Sequence, residues 1–373
     1  MTGSEASARQ RRIDALAGDL AARGVDALIV ASAVNLRYLT GFAGSNGLAL
    51  IAAGEQPGGD GHVFFTDFRY TTQSAEQVAP ALAREIVTGN LLDAAVRALK
   101  SSAGTLGFDD AATSVADHER LRAALAEGWQ LSACGGAVER LRAIKDDGEV
   151  QRMRAAAQLA DEALQALLED GLVGRSERDV AIDLELRMRR LGAEPPSFSS
   201  IVAAGAHGAL PHAEPRDEPI ARDVLVTIDW GAQLEGYCSD CTRTYATGEG
   251  ISEQAREIYE LVLEAQLAGL SAVQAGPTGR EVDAVARAVI EAAGQGEHFG
   301  HGLGHGVGMD IHEAPRLSRT EGERRLVAGN VVTVEPGVYL PGRLGVRIED
   351  LLVVREDGQD VLNGLDKALT AIS

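Results

Sequence analysis

Lysine, cysteine and long apolar runs are what this sequence has least of. Lysine occurs only at Lys100, Lys145 and Lys367, a bias that reflects a GC-rich genome and carries no information about substrate. The 35 basic residues are outnumbered by 55 acidic ones, leaving a formal charge of −20 and a pI near 4.8. Nucleic acid and anionic membrane surfaces would repel such a chain, which argues against both as partners. Three cysteines, Cys134, Cys238 and Cys241, build no disulfide framework. Cys238 and Cys241 form a C-x-x-C in GYCSDCTRT. That run alternates like a strand, which sends the two thiols to opposite faces, and no second pair completes a zinc site. No apolar run approaches the roughly 20 residues that span a bilayer. The opening MTGSEASARQRRIDALAGDL is polar and helix-like, without the apolar core of a signal peptide, so the expected location is the cytoplasm.

What is present is enough apolar residue, 45% of 373, to bury two cores. The first part alternates short strands such as DALIVAS and HVFFTD with helices such as VADHERLRAALAEG, an α/β pattern. Glycines and then charges in SACGGAVERLRAIKDDGE mark a junction, and the domains are placed at 1–138 and 139–373. The second domain repeats itself. Ser176 with Asp179 and Thr278 with Glu281, 102 residues apart, each open an amphipathic helix as a capping box, the first a looser form. A hairpin follows in each half. Folding VLVTIDWGAQLEGYCSDCTRTYA about Leu234–Gly236 sets Asp229 opposite Asp240, and folding VVTVEPGVYLPGRLGVRIEDLLVV about Gly342 sets Glu335 opposite Glu349.

Carboxylates placed directly opposite each other repel, so four of them require a cation. Between the hairpins lies HFGHGLGHGVGMDIHEAP, residues 298–315, with four of the eight histidines. His301 and His305 have the spacing of a zinc-protease helix, but the glycines at 300, 302, 304, 306 and 308 forbid a helix. On an extended run His301, His305 and Met309 share one face, with His312 arriving after a change of direction. Oxygen-rich ligation with a single imidazole suits Mn²⁺, Co²⁺, Fe²⁺ or Zn²⁺, and bridging carboxylates would hold two such ions.

In order and spacing these acids and histidines resemble the pita-bread metallopeptidases, specifically the Xaa-Pro aminopeptidase and Xaa-Pro dipeptidase (prolidase) group. NLRYLTGFAGSNG and FTDFRYTTQS resemble the creatinase-like N-terminal domain of that group. The resemblance implies an α+β pita-bread catalytic domain with an internal pseudo-twofold repeat, preceded by a smaller α/β domain, and a homodimer. It further implies two divalent metal ions, Mn²⁺ foremost, held by Asp229, Asp240, His305, Glu335 and Glu349. His212 and His312 would act on the scissile carbonyl. His301, Arg347 and Tyr339 would contact substrate, a proline-containing peptide. Glu335 would double as proton shuttle while a metal-activated hydroxide attacks the carbonyl before proline, and Glu313 would hold a ligand or main-chain group. His62, His118, His207 and His298 match no role. Methionine aminopeptidases usually lack the extra N-terminal domain, creatinases lack the full ligand set, and a non-catalytic binding module would have lost ligands that are all retained here. Of the two Xaa-Pro activities, the sequence places aminopeptidase slightly ahead of dipeptidase.

Overall fold

The computed structural model describes residues 3–54 and 61–372, in two compact units that divide between Arg142 and Ala143. The first unit holds a six-stranded mixed sheet. Its strands are β1 (Ala27–Val30), β2 (Gly47–Ala52), β3 (Val63–Thr66), β4 (Ala83–Ile86), β5 (Ala103–Phe108) and β6 (Gly128–Ala133), in the order β4-β3-β2-β1-β5-β6. β1 runs parallel to β5 and antiparallel to β2, and all four of its residues are buried, as a strand covered on both faces requires. The helix Gly3–Ala22 buries Ile13, Leu16, Ala17 and Leu20, the three-and-four spacing of a single helix face. The unit runs past 138, where the composition shift set the boundary. Helix Ala137–Arg142 ties back into it, Arg142 Nη1 donating to Asn35 Oδ1 at 2.8 Å.

The second unit is built twice over. Its first half has helices Asp147–Leu168 and Glu177–Arg190 over β7 (Ile201–Ala204), β8 (Leu225–Trp230) and β11 (Cys241–Ala246). The short pair β9 (Gln233–Leu234) and β10 (Tyr237–Cys238) extends that hairpin. Its second half has helices Glu253–Ala272 and Gly279–Ala292 over β12 (Gly304–Gly306), β13 (Glu313–Leu317), β14 (Val331–Val334), β17 (Asp350–Arg355) and β18 (Gly358–Val361). β15 (Gly337–Leu340) and β16 (Leu344–Arg347) extend the second hairpin in the same way. The helix starts correspond. Ser176 and Thr278 each cap the backbone of the third helical residue, and each forms an isolated bridge, to Pro219 and Arg325 respectively. Only Thr278 and Glu281 make the full reciprocal box. Each half has its own core, one around Trp230, Leu164 and Leu184, the other around Tyr259, Phe299 and Val334. The two sheets meet at a bridge between Thr242 and Glu349. Among the described residues no helix is long and apolar enough to cross a membrane.

Candidate metal centre

The second hairpin has the register read from the sequence. Val334 pairs with Asp350 and Gly337 with Arg347, so Glu335 and Glu349 face each other where one ladder stops and the next begins. The first hairpin corrects that reading. Its turn is the two-residue pair Glu235–Gly236, both at positive φ (51° and 85°), which lies one residue further along than the centre that would set Asp229 opposite Asp240. Leu234 therefore pairs with Tyr237, and Asp229 lies opposite Thr242 instead of Asp240. Asp240 falls in the break before β11 and still reaches the cluster, since Asp240, His305 and Glu349 offer ligand atoms all within 4.8 Å of one another.

His305 arrives on β12, which is extended for only three residues, with a bulge between His305 and Gly306. The neighbouring glycines serve adjacent backbones rather than an approach to the carboxylates. A Cβ on Gly304 would sit 2.0 Å from Thr333 O, and one on Gly306 2.5 Å from Ala314 O. His305 Nδ1 donates to Gly306 O at 3.1 Å, which leaves Nε2 facing Asp240 Oδ2 at 3.5 Å and Glu335 Oε1 at 3.4 Å. Met309 does not follow the two histidines into the cavity they line, because the chain turns after Gly306; its side chain is buried.

Around these ligand candidates runs a continuous set of hydrogen bonds. Thr242 Oγ1 donates to Glu349 Oε2 at 2.6 Å and accepts from Arg347 Nε at 3.1 Å. Arg347 Nη2 meets Asp229 Oδ2 at 2.6 Å, and its Nη1 donates to Tyr339 OH at 2.9 Å and Pro211 O at 3.2 Å. Tyr339 OH in turn lies 2.9 Å from His301 Nε2. All three nitrogens of the Arg347 guanidinium are thus engaged within the protein. It braces Asp229, and of its five N–H donors one, on Nη2, is left for the substrate contact expected of it.

Burial, and then the charges of Glu349 and Asp229, push the Asp240 carboxyl well above its ordinary range. Glu349 is pushed up the same way by burial, Glu335 and Asp229, and Glu335 is raised by burial as well. Burial holds His301, His305 and His312 below the ordinary imidazole value, hence neutral near pH 7. Asp229 Oδ1 is buried with no hydrogen-bond partner. An orphaned carboxylate oxygen, carboxyls that cannot all ionise together and a neutral imidazole facing them are a donor set that fits divalent cations, and a bound cation would remove the repulsion.

The cluster forms one wall of a cavity of about 580 Å³. His212, His301 and His312 also line it, with Phe198, Ile201 and Ile311 supplying apolar surface. The rings of His305 and His312 stand edge to face, centroids 4.4 Å apart. Arg316, absent from the residues singled out in the sequence, lines the cavity too; its side chain is exposed and has no ion-pair or hydrogen-bond partner among the described residues. A signal for it was present. His212-Ala-Glu-Pro-Arg216 and His312-Glu-Ala-Pro-Arg316 repeat one pattern, H-x-x-P-R, in the two halves.

Residues 151–356 match the model of metallopeptidase family M24, and residues 12–144 match the creatinase/prolidase N-terminal domain. The chain belongs to metallopeptidase family M24. Its relatives include the Xaa-Pro dipeptidase of Pyrococcus furiosus, 34% identical over 96% of this chain and 99% of that protein. Among solved structures, the Xaa-Pro dipeptidase of Bacillus anthracis superposes with a TM-score of 0.91 at 38% identity, covering 97% of this chain and 99% of that one. The X-Pro aminopeptidase of Thermotoga maritima gives 0.86 at 33% identity, over 94% and 98%. As an M24 metallopeptidase the chain is a hydrolase with the pita-bread fold, and the family's use of divalent metals matches the carboxylate and imidazole cluster built above.

Proposed function

We propose that this M24 metallopeptidase is an Xaa-Pro dipeptidase, reversing the slight preference for aminopeptidase drawn from the sequence. Arg316 carries the change. A dipeptide presents a carboxylate one residue beyond the cleaved bond, and a free guanidinium on the cavity wall is the group that would grip it. The dipeptidase names of the Pyrococcus and Bacillus proteins support the same reading. The aminopeptidase remains the second reading, supported by the name of the Thermotoga protein.

Asp229, Asp240, His305, Glu335 and Glu349 would hold two divalent ions, Mn²⁺ in the first place. Such ions, when bound, acidify water and polarise the scissile carbonyl. The chain's own residues do the rest. His212 and His312, imidazoles on the cavity wall, donate hydrogen bonds to the oxygen on which charge develops. The Glu335 carboxylate moves a proton toward the leaving proline nitrogen. His301, held by Tyr339, shapes the pocket for the proline ring. The free amine of the substrate is drawn to the acidic cluster, which restricts cleavage to the first bond. An X-Pro bond is a tertiary amide that general proteases handle poorly, which gives a dedicated enzyme its use. A cytoplasmic homodimer completes the reading and rests on the family resemblance and the sequence alone.

The test is hydrolysis of Ala-Pro beside Ala-Pro-Ala by metal-stripped protein with and without added Mn²⁺. Metal-dependent cleavage confined to Ala-Pro is expected. Cleavage of the tripeptide would restore the aminopeptidase reading, and cleavage of neither by protein shown to have bound metal would remove the Xaa-Pro assignment.

A further inference from the structure

His212 is exposed, and its ring has no hydrogen-bond or ion-pair partner among the described residues. A side chain required to meet a developing charge within a few tenths of an ångström must then be aimed by its backbone. That backbone is an arm between β7 and β8, and its anchorage converges on one carboxylate. Glu177, 1% exposed, is the first residue of helix Glu177–Arg190. Its Oε1 accepts from Ala204 N at 2.8 Å and from Arg216 Nη2 at 3.3 Å. Its Oε2 accepts from His207 Nδ1 at 2.8 Å, Arg216 N at 3.0 Å and Arg216 Nε at 3.2 Å. His212 lies between His207 and Arg216, so both flanks of the arm are tied to the same two oxygens. Between them, Pro211 O accepts from Arg347, and Gly208 packs on the backbone of Gly345.

The second half of the unit shows what this carboxylate adds. Gly279 is the first residue of helix Gly279–Ala292, the place Glu177 holds in the first half. There the first helical residue offers only main chain, a Cβ on Gly279 falling 2.0 Å from Arg316 O; Arg280 reaches Glu321 O further along the arm, and the Arg316 side chain has no partner among the described residues. In the first half the glutamate captures the arginine and uses it to fix the arm. Burial raises the Glu177 carboxyl, but hydrogen bonds from Arg216 and from the Ala204 and Arg216 amides, with His207, bring it below the ordinary value, so the anchor is ionised at neutral pH.

We propose that Glu177 is the positioning residue for His212, setting the aim of that imidazole by holding both flanks of its arm. The proposal rests on His212 acting in turnover. Glu177→Gln, assayed on Ala-Pro with Mn²⁺ bound, is expected to lower kcat by about 10- to 100-fold, the scale of a misplacement near 1 Å. KM should stay within about twofold and metal content unchanged, because the lost contribution belongs to the transition state. In the His212→Ala background the same change should have no further effect on kcat, as coupling through one group requires. Should Glu177→Gln fail to fold, Arg216→Ala takes its place, removing a guanidinium that is 45% exposed, with a smaller loss of kcat and the same disappearance in the His212→Ala background. An equal loss in both backgrounds, a silent Glu177→Gln, or a fall in kcat matched by a fall in bound metal overturns the proposal alone. Full activity of His212→Ala overturns the role of His212 and the proposal with it.

Discussion

Arg216 and Arg316 end two copies of the same five-residue pattern, yet one is tied and the other free. Arg216 is bonded to Glu177 through three nitrogens, its own amide included, whereas the Arg316 side chain faces the cavity with no partner among the described residues. The difference traces to a single helix position, glutamate at 177 and glycine at 279. A duplicated scaffold has thereby divided its labour. One arm has its arginine engaged with a buried glutamate, and the other leaves its arginine open to the cavity. A pseudo-twofold fold supplies symmetric backbone, and chemistry enters where the halves cease to match.

The most damaging change should strike the part the two halves share, the carboxylate cluster at their junction. Asp240→Ala is expected to reduce turnover to background and to lower bound metal per chain, measured by elemental analysis after Mn²⁺ loading and desalting. A variant that kept both metal and turnover would show that the cluster does not hold the catalytic ions. Next comes the free arginine. Arg316→Ala should raise KM for Ala-Pro by about 10- to 100-fold, the range for losing a charge-assisted hydrogen bond. Ala-Pro-amide, which has no terminal carboxylate, should be nearly indifferent to the change. An equal effect on both substrates would mean that Arg316 does not grip the carboxylate.

How far the sequence disclosed this arrangement depended on what the turns reveal. Glu335 and Glu349 were legible as a facing pair because Gly342 marks the middle of a symmetric hairpin. Asp229 and Asp240 were not, because Glu235 adopts positive φ without the asparagine or aspartate that signals a type I′ turn, and the register moved accordingly. The repeat was legible in its helix caps. The bracing by Arg347 was invisible, since nothing in VRIED tells that Asp229, Tyr339 and Thr242 will converge on one guanidinium. The free state of Arg316 was equally hidden, although the repeated H-x-x-P-R pointed to the position.

A smaller effect should follow from the hydroxyl that links the halves. Thr242 donates to Glu349 and receives from Arg347, which also holds Asp229, so it ties a candidate ligand of the second half to one of the first. Thr242→Val keeps the shape and removes the bonds. Mn²⁺ affinity, measured by titrating metal-stripped protein, should fall by about 10- to 100-fold, the usual effect of losing a bond that orients a ligand. Unchanged affinity would mean that Glu349 is held well enough by the backbone bridge to Thr242 alone.

The smallest effect is on stability, and it tests the tied arm by itself. Glu177 has its carboxyl depressed in the folded chain, so its ionised form is favoured by folding. That contribution is fully present above the unfolded value of about 4.3 and is lost as pH falls through the lower folded value. Metal-stripped wild type should therefore exceed Glu177→Gln in Tm at pH 7, with the gap closing as the pH falls below about 4. For a unit of this size each kcal/mol corresponds to about 2–4 °C. The free arm offers the control, because Arg316→Ala removes no folded-state partner and should leave Tm unchanged across the same range. A gap for Glu177→Gln that stayed constant with pH would mean that the carboxylate fills space without holding its partners by charge.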